Sequence, residues 1–237
     1  MTPDLRRISK GQPMKSSLSV PDTSFGVMET PTVFIVDDDG RVRDALHGPL
    51  LAAGYHPRAA ASAEEFLACP RVIAPSCLMV ELSLPGMSGL ELQRLLLERT
   101  ELPIIFMAGR SDICAAVQAM KAGACEFLPK PVANAEVLSA VRYAIGRSVA
   151  AIDRLLRVHS LQQRYDSLSH REREVMGMVV SGRLNKQVGG ELGISEVTVK
   201  AHRGSLMRKM RATSFAELVV MAQNLDRSQV EVRVARA

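Results

Sequence analysis

The chain reads as an α/β unit on a doubly wound, five-stranded parallel sheet, followed by a long linker helix and an all-α unit of four short helices. Three observations carry this reading. Between residues 32 and 147 short apolar runs alternate with amphipathic stretches, as parallel strands and their crossover helices do. From Val137 to His159 apolar residues keep an approximate spacing of three to four, running past the end of that unit. Residues 168–223 carry clear helix start signals separated by glycines.

In chain order, strands are expected at 33–36, 57–60, 78–80, 104–107 and 126–128, with helices between them at 41–53, 63–68, 88–98, 112–121 and 134–147. Gly48-Pro49 is a flaw inside the first helix, because proline there removes a hydrogen bond and kinks the chain. The last helix continues into 148–164 through Val137, Leu138, Val141, Ile145, Ile152, Leu155, Leu156 and His159. Unbroken, about 30 residues at about 1.5 Å each make a rod of roughly 45 Å, with Gly146 as the hinge position. That stripe either packs on the α/β unit or makes a coiled-coil-like dimer contact, and the spacing is compatible with both.

The helical unit starts at Ser169-His170-Arg171-Glu172, a capping box preceded by Leu168 as a hydrophobic staple. Ser181-Gly182 ends its first helix, Asn185 opens the second, and Gly193 separates the second from a third capped by Ser195. Ser214-Phe215-Ala216-Glu217 is a second capping box, opening a fourth helix over about 214–224. The expected organisation is therefore a flexible tail over 1–30, the α/β unit over 31–133 closed by helix 134–147, a linker helix over 148–166, the helical unit over 167–225, and a second tail over 226–237.

At 237 residues, 47% of them apolar, the chain can bury two cores of ordinary size. With no Trp those cores are expected to be aliphatic. No apolar run approaches the roughly 20 residues that cross a bilayer, and the N-terminus has no apolar segment of signal-peptide type. The expectation is a soluble, cytoplasmic protein without a membrane partner. Cys69, Cys77, Cys114 and Cys125 are scattered, which fits reduced, partly buried thiols better than a metal site or a disulfide framework. Charge is uneven: residues 31–148 hold 11 Lys and Arg against 13 Asp and Glu, whereas residues 149–237 hold 15 against 9. A nucleic-acid partner would thus meet the C-terminal part.

Ligands of an open parallel sheet lie beyond the carboxyl ends of its strands. Asp37 and Asp38 end the first strand, Glu81 the third and Ala108 the fourth, and Lys130 follows the fifth. Together with Val33-Phe34-Ile35-Val36-Asp37-Asp38-Asp39, Cys77-Leu78-Met79-Val80-Glu81, Leu84-Pro85-Gly86-Met87-Ser88-Gly89-Leu90 and Phe127-Leu128-Pro129-Lys130-Pro131, this resembles a response-regulator receiver domain. The resemblance implies Mg²⁺ at Asp37 and Asp38, a lysine pairing with the acceptor acid (Lys130), and Phe127 as the switch aromatic. It also implies an aspartate at 81, which accepts the phosphoryl group, and a Thr or Ser at 108, which reads it.

This chain departs at both of the last two positions. A glutamyl carboxylate reaches about one carbon–carbon bond further than aspartate and misplaces the in-line geometry of phosphoryl transfer. Ala108 has no hydroxyl to donate. Switching by phosphorylation is therefore not expected, no cofactor is required, and any Mg²⁺ binding should be weak. Glu81 either mimics the charged state or belongs to a degenerate pocket in a rigid dimerisation or docking module.

A short helix, a turn containing glycine and a longer basic helix form a helix-turn-helix layout. Val199, Leu206 and Met210 suit its core, while Thr198, Lys200, Arg203 and Lys209 lie wholly or partly away from it. The run from Leu168 to Val175, then Asn185-Lys186-Gln187-Val188, Leu192-Gly193-Ile194-Ser195 and Thr198-Val199-Lys200-Ala201-His202-Arg203, resembles the LuxR-type DNA-binding domain. With the receiver it covers nearly all of 31–225, so the whole resembles a NarL/FixJ-type response regulator.

That resemblance implies a transcription regulator binding double-stranded DNA as a homodimer, with the third helix in the major groove and the fourth at the dimer contact. RNA polymerase, and a sensor histidine kinase, are the further implied partners. Asn185, Lys186, Ser195, Thr198, Lys200, His202, Arg203 and Lys209 are the candidate DNA contacts, with base readout resting mainly on Lys200 and Arg203. Gly189 and Gly190 are expected to weaken the second helix, and Ala201 and Gly204 offer short side chains on the third.

The chain has no phosphate-binding glycine loop, zinc-ligand spacing or nucleophile elbow, so an enzyme is not expected. Two other functions remain: a phosphorylatable phosphotransfer receiver, and a protein-interaction adaptor with only non-specific DNA binding.

Overall fold

The computed structural model describes residues 30–71, 73–109 and 113–234. The tail expected over 1–30 lies, except for Thr30, outside the described residues. Strands β1 (Thr32–Val36), β2 (His56–Ala60), β3 (Ser76–Glu81), β4 (Ile104–Ala108) and β5 (Glu126–Pro129) form one parallel sheet in the order β2-β1-β3-β4-β5.

Both faces of the sheet are covered, which is why β1, β3 and β4 read as continuous apolar runs. Phe34, Val36, Leu78, Val80 and Phe106 point to one face and pack with Ala63, Phe66, Leu92 and Ala119. These come from α2 (Ala63–Ala68), α3 (Gly89–Leu95) and α4 (Ile113–Lys121). Val33, Ile35, Cys77, Met79, Ile105 and Met107 point to the other face, against Leu46 and Leu50 of α1 (Gly40–Ala52) and Val137, Ala140, Val141 and Ala144 of α5 (Asn134–Asp166). This is the doubly wound sheet expected from the sequence.

Local signals explain most boundaries. Asp39 caps α1 by accepting from the Arg41 N–H, Ser62 caps α2, and Ser88 with Glu91 forms a capping box on α3. Pro49 is accommodated inside α1, which places the buried Leu46 and Leu50 on the sheet. α3 stops at Leu95 rather than running to 98, because the chain turns to bury Glu101. The Glu101 carboxylate accepts from Arg71 (3.0 Å) and Arg99 (3.3 Å) across that turn.

α5 is one helix of 33 residues, about 50 Å long, and it passes Gly146 without a break. It buries Val137, Val141, Ile145 and Ile152 and packs the half-buried Leu138 beside them, so most of the stripe packs within the chain. Ser148 fixes it there: the buried hydroxyl donates to the Glu101 carbonyl (2.5 Å) and accepts from the Ser76 N–H (3.0 Å). Leu161 and Tyr165, near its end, join a third core.

That core belongs to α6 (His170–Val180), α7 (Asn185–Leu192), α8 (Glu196–Met210) and α9 (Phe215–Val234), and contains Leu168, Val175, Val188, Val199, Leu206, Met210 and Leu218. The Ser169/Glu172 capping box forms as expected. At α9 only half of the second box forms. Ser214 accepts from the Glu217 N–H, but the Glu217 carboxylate takes the Thr213 N–H and hydroxyl instead. α9 does not stop near 224 but runs to Val234, which corrects the tail expected over 226–237. No Gly or Pro lies between Asp226 and Val234 to end it. Residues 235–237 of that expected tail lie outside the described residues. Among the described residues no helix is long and apolar enough to cross a membrane.

Candidate functional site

The parallel sheet brings Asp37, Glu81, Ala108 and Lys130 to one edge. Gly89 allows the loop after β3 to close there: a Cβ at 89 would lie 2.6 Å from the Glu81 carbonyl oxygen, a contact no side chain tolerates. Asp37 is fully buried and Glu81 nearly so. Each carboxylate oxygen of the pair is engaged. Asp37 Oδ1 accepts from the Asp39 N–H (3.0 Å), and Glu81 Oε1 accepts from the Ser83 N–H (3.2 Å).

The remaining oxygens share one ammonium. Lys130 Nζ lies 2.6 Å from Asp37 Oδ2 and makes an ion pair with Glu81 Oε2. Burial acts to lower the Lys130 pKa, but the hydrogen bonds to Asp37 and Glu81 outweigh it and hold the lysine above its ordinary value.

The donor set does not fit a hard divalent cation. Such an ion needs carboxylate oxygens free to face it, and here an ammonium already lies on both buried acids. Asp38 is exposed. Among the described residues no group of three or more His, Cys, Asp or Glu is placed to hold a metal. Ala108 is fully buried and brings no hydroxyl to the pocket, and Phe127 is half-buried, packed against the core cluster of its own sheet face.

In the helical unit the candidate residues divide into two groups. Arg203 donates to Asn185 Oδ1 (2.6 Å), and its guanidinium lies 5.4 Å from the centre of the Phe215 ring. It thus braces α7, α8 and α9 together rather than facing outward. Lys209 donates to the Glu172 carboxylate (2.7 Å) and to the Ser167 carbonyl (3.3 Å), tying the end of α8 to the start of α6. Burial pushes the Glu172 carboxyl up, yet the Lys209 ammonium, the Ser205 hydroxyl and the Ser169 N–H and hydroxyl prevail and hold it at about 2.

The second group, apart from His202, is exposed. The Lys186 side chain makes no hydrogen bond or ion pair among the described residues, and that of Lys200 makes only an i,i+4 pair with Glu196 (3.1 Å). The Ser195 hydroxyl caps α8 through the Thr198 N–H (3.1 Å) and shares a hydrogen bond with the Thr198 hydroxyl (2.8 Å). His202 is half-buried.

Two residues missed by sequence reasoning, Val197 and Arg208, lie on the same exposed side of α8. Helical spacing from Val199, Leu206 and Met210 would have found them. The glycine expectation also needs correction. A Cβ at Gly189 would lie 2.8 Å from the Ile194 carbonyl, so the tight turn between α7 and α8 requires glycine there, whereas at Gly190 it would meet open space.

Comparison with known proteins agrees with both halves. Residues 33–142 match the response regulator receiver domain family, and residues 166–222 match the bacterial regulatory proteins of the luxR family. The response regulator protein TodT of Pseudomonas putida is 42% identical over 197 residues, covering 83% of this chain and 87% of that protein. The transcriptional regulatory protein FixJ of Rhizobium meliloti is 39% identical over 192 residues, covering 81% and 94%. Among solved structures, the response regulator StyR superposes with a TM-score of 0.72 at 40% identity, covering 82% of this chain and 98% of that one.

Proposed function

The chain belongs to the DNA-binding two-component response regulators of the LuxR/FixJ type, and from that premise we propose that it regulates transcription without phosphorylation of its receiver domain. One observation carries the proposal: Lys130 is shared between Asp37 and Glu81, so the pocket's one ammonium is already engaged by both buried acids. A phosphoryl group would have to displace Glu81 from that lysine and would find no hydroxyl at Ala108. The receiver then acts as a fixed module, with no divalent cation required and a sensor histidine kinase dispensable for DNA binding.

Double-stranded DNA is met by the exposed side of α8, with Lys186, Thr198, Lys200 and His202 as groove and phosphate contacts. Asn185, Arg203 and Lys209 hold α8 in position, and Ser195 starts it. Homodimerisation through α9 is supported by its exposed Val220, and RNA polymerase is the partner that a regulator of this type addresses.

The test is DNA binding by the full-length protein with and without beryllofluoride, a phosphoryl mimic, and Mg²⁺. Effector coupling typically changes affinity about 5–150-fold. The expected change is below about two-fold. A gain of about five-fold or more would overturn the proposal.

A further inference from the structure

On α8, Val199, Leu206 and Met210 are fully buried and define the inward direction. At about 100° per residue, Val197, Ala201, Gly204 and Arg208 all fall within roughly 40° of the opposite direction. All four are exposed. Thr198 and Lys200 lie to either side, and Arg203 leans inward onto Asn185. The centre of the outward face is therefore apolar, small, small and then basic.

Two facts about this face have no explanation within the fold. Val197 is 75% exposed, higher than any other large apolar side chain among the described residues. Gly204 sits in the middle of a helix, where glycine weakens the helix relative to alanine. Yet a Cβ there would meet open space, and its φ is not in the left-handed region. Neither packing nor backbone conformation requires a glycine at 204. Its absence of side chain, with the single methyl of Ala201, instead allows the backbone of α8 to approach a surface closely. Val197 would then be the side chain that touches that surface.

The major groove offers one apolar group that identifies a base, the 5-methyl of thymine. The neighbouring polar side chains are partly engaged with each other, Ser195 with Thr198 (2.8 Å) and Lys200 with Glu196 (3.1 Å), whereas the Val197 methyls are free. We propose that Val197 reads a thymine 5-methyl group in the major groove, brought within contact by Ala201 and Gly204. This rests on the DNA-binding reading above.

The probe is the duplex most enriched from a randomised library by the full-length protein at physiological salt. A set of variants follows in which each thymine in turn is replaced by deoxyuridine, which removes only the methyl group. Wild-type protein should lose about three- to five-fold in affinity at one thymine position, the factor expected from burial of one methyl group. Val197→Ala, whose melting temperature should match wild type because the side chain is exposed, should bind the thymine and deoxyuridine forms of that position equally.

If a duplex is enriched but no deoxyuridine weakens binding, or Val197→Ala keeps the full sensitivity, Val197 is not the reader, while the DNA-binding reading stands. If no duplex is enriched over the starting pool, both fall together.

Discussion

Replacing Lys130 with Met removes one charge and keeps the apolar stem, so it isolates what the shared ammonium contributes. In the variant, Asp37 and Glu81 are left with like charges in a pocket that exposes 0% and 9% of their side chains. Removing one member of a buried ion pair costs about 3–5 kcal/mol. Lys130 keeps 25% of its side chain exposed, which favours the lower end of that range, about 3 kcal/mol. Domains of this size have about 5–15 kcal/mol in all, so the loss is a large fraction of the receiver's stability.

The assay is urea unfolding of the full-length protein followed by circular dichroism. With a slope of roughly 2 kcal/mol per molar, the receiver transition should move down by about 1.5 M. Adding Glu81→Gln to Lys130→Met should recover part of that shift, because it removes one of the two opposed charges. Millimolar Mg²⁺ should stabilise Lys130→Met, where a cation can replace the missing ammonium, and leave the wild type unchanged. A Lys130→Met variant within about 0.5 kcal/mol of wild type, or equal Mg²⁺ stabilisation of both proteins, would refute the reasoning.

The helical unit yields two further predictions. Arg203→Ala should lower its stability by about 2–3 kcal/mol, the sum of a charged hydrogen bond to Asn185 and the contact with Phe215, without changing which DNA site is preferred. An unchanged melting temperature with an altered site preference would instead place Arg203 in base readout. Gly189→Ala should destabilise by about 1–3 kcal/mol, because its Cβ meets the Ile194 carbonyl, while Gly190→Ala should stabilise by up to about 1 kcal/mol. Thermal melting of the two variants decides this, and equal shifts would show that the turn relaxes freely.

Much of this protein was legible from residue order alone. Strand positions follow from apolar runs such as Val33–Val36, the Ser169/Glu172 box announces α6, and the strand-end residues Asp37, Glu81, Ala108 and Lys130 are placed by the topology of a parallel sheet. These are local or pattern-level signals, set by backbone periodicity and capping chemistry. What the order of residues could not supply is which partner a long polar side chain takes. Arg203, Lys209 and Lys200 are all long basic side chains on α8 that lie off its fully buried stripe. Only the packed unit shows that Asn185 and Glu172 claim the first two, while Lys200 stays at the surface. The same holds for Gly189 against Gly190, neighbours in sequence, of which only one faces the Ile194 carbonyl. It holds also for Lys130, whose sharing by two acids, one just after β1 and one at the end of β3, depends on distances of a few ångströms between strand ends. Side-chain reach and partner choice are set by contacts between residues far apart in sequence, and only the tertiary structure decides them.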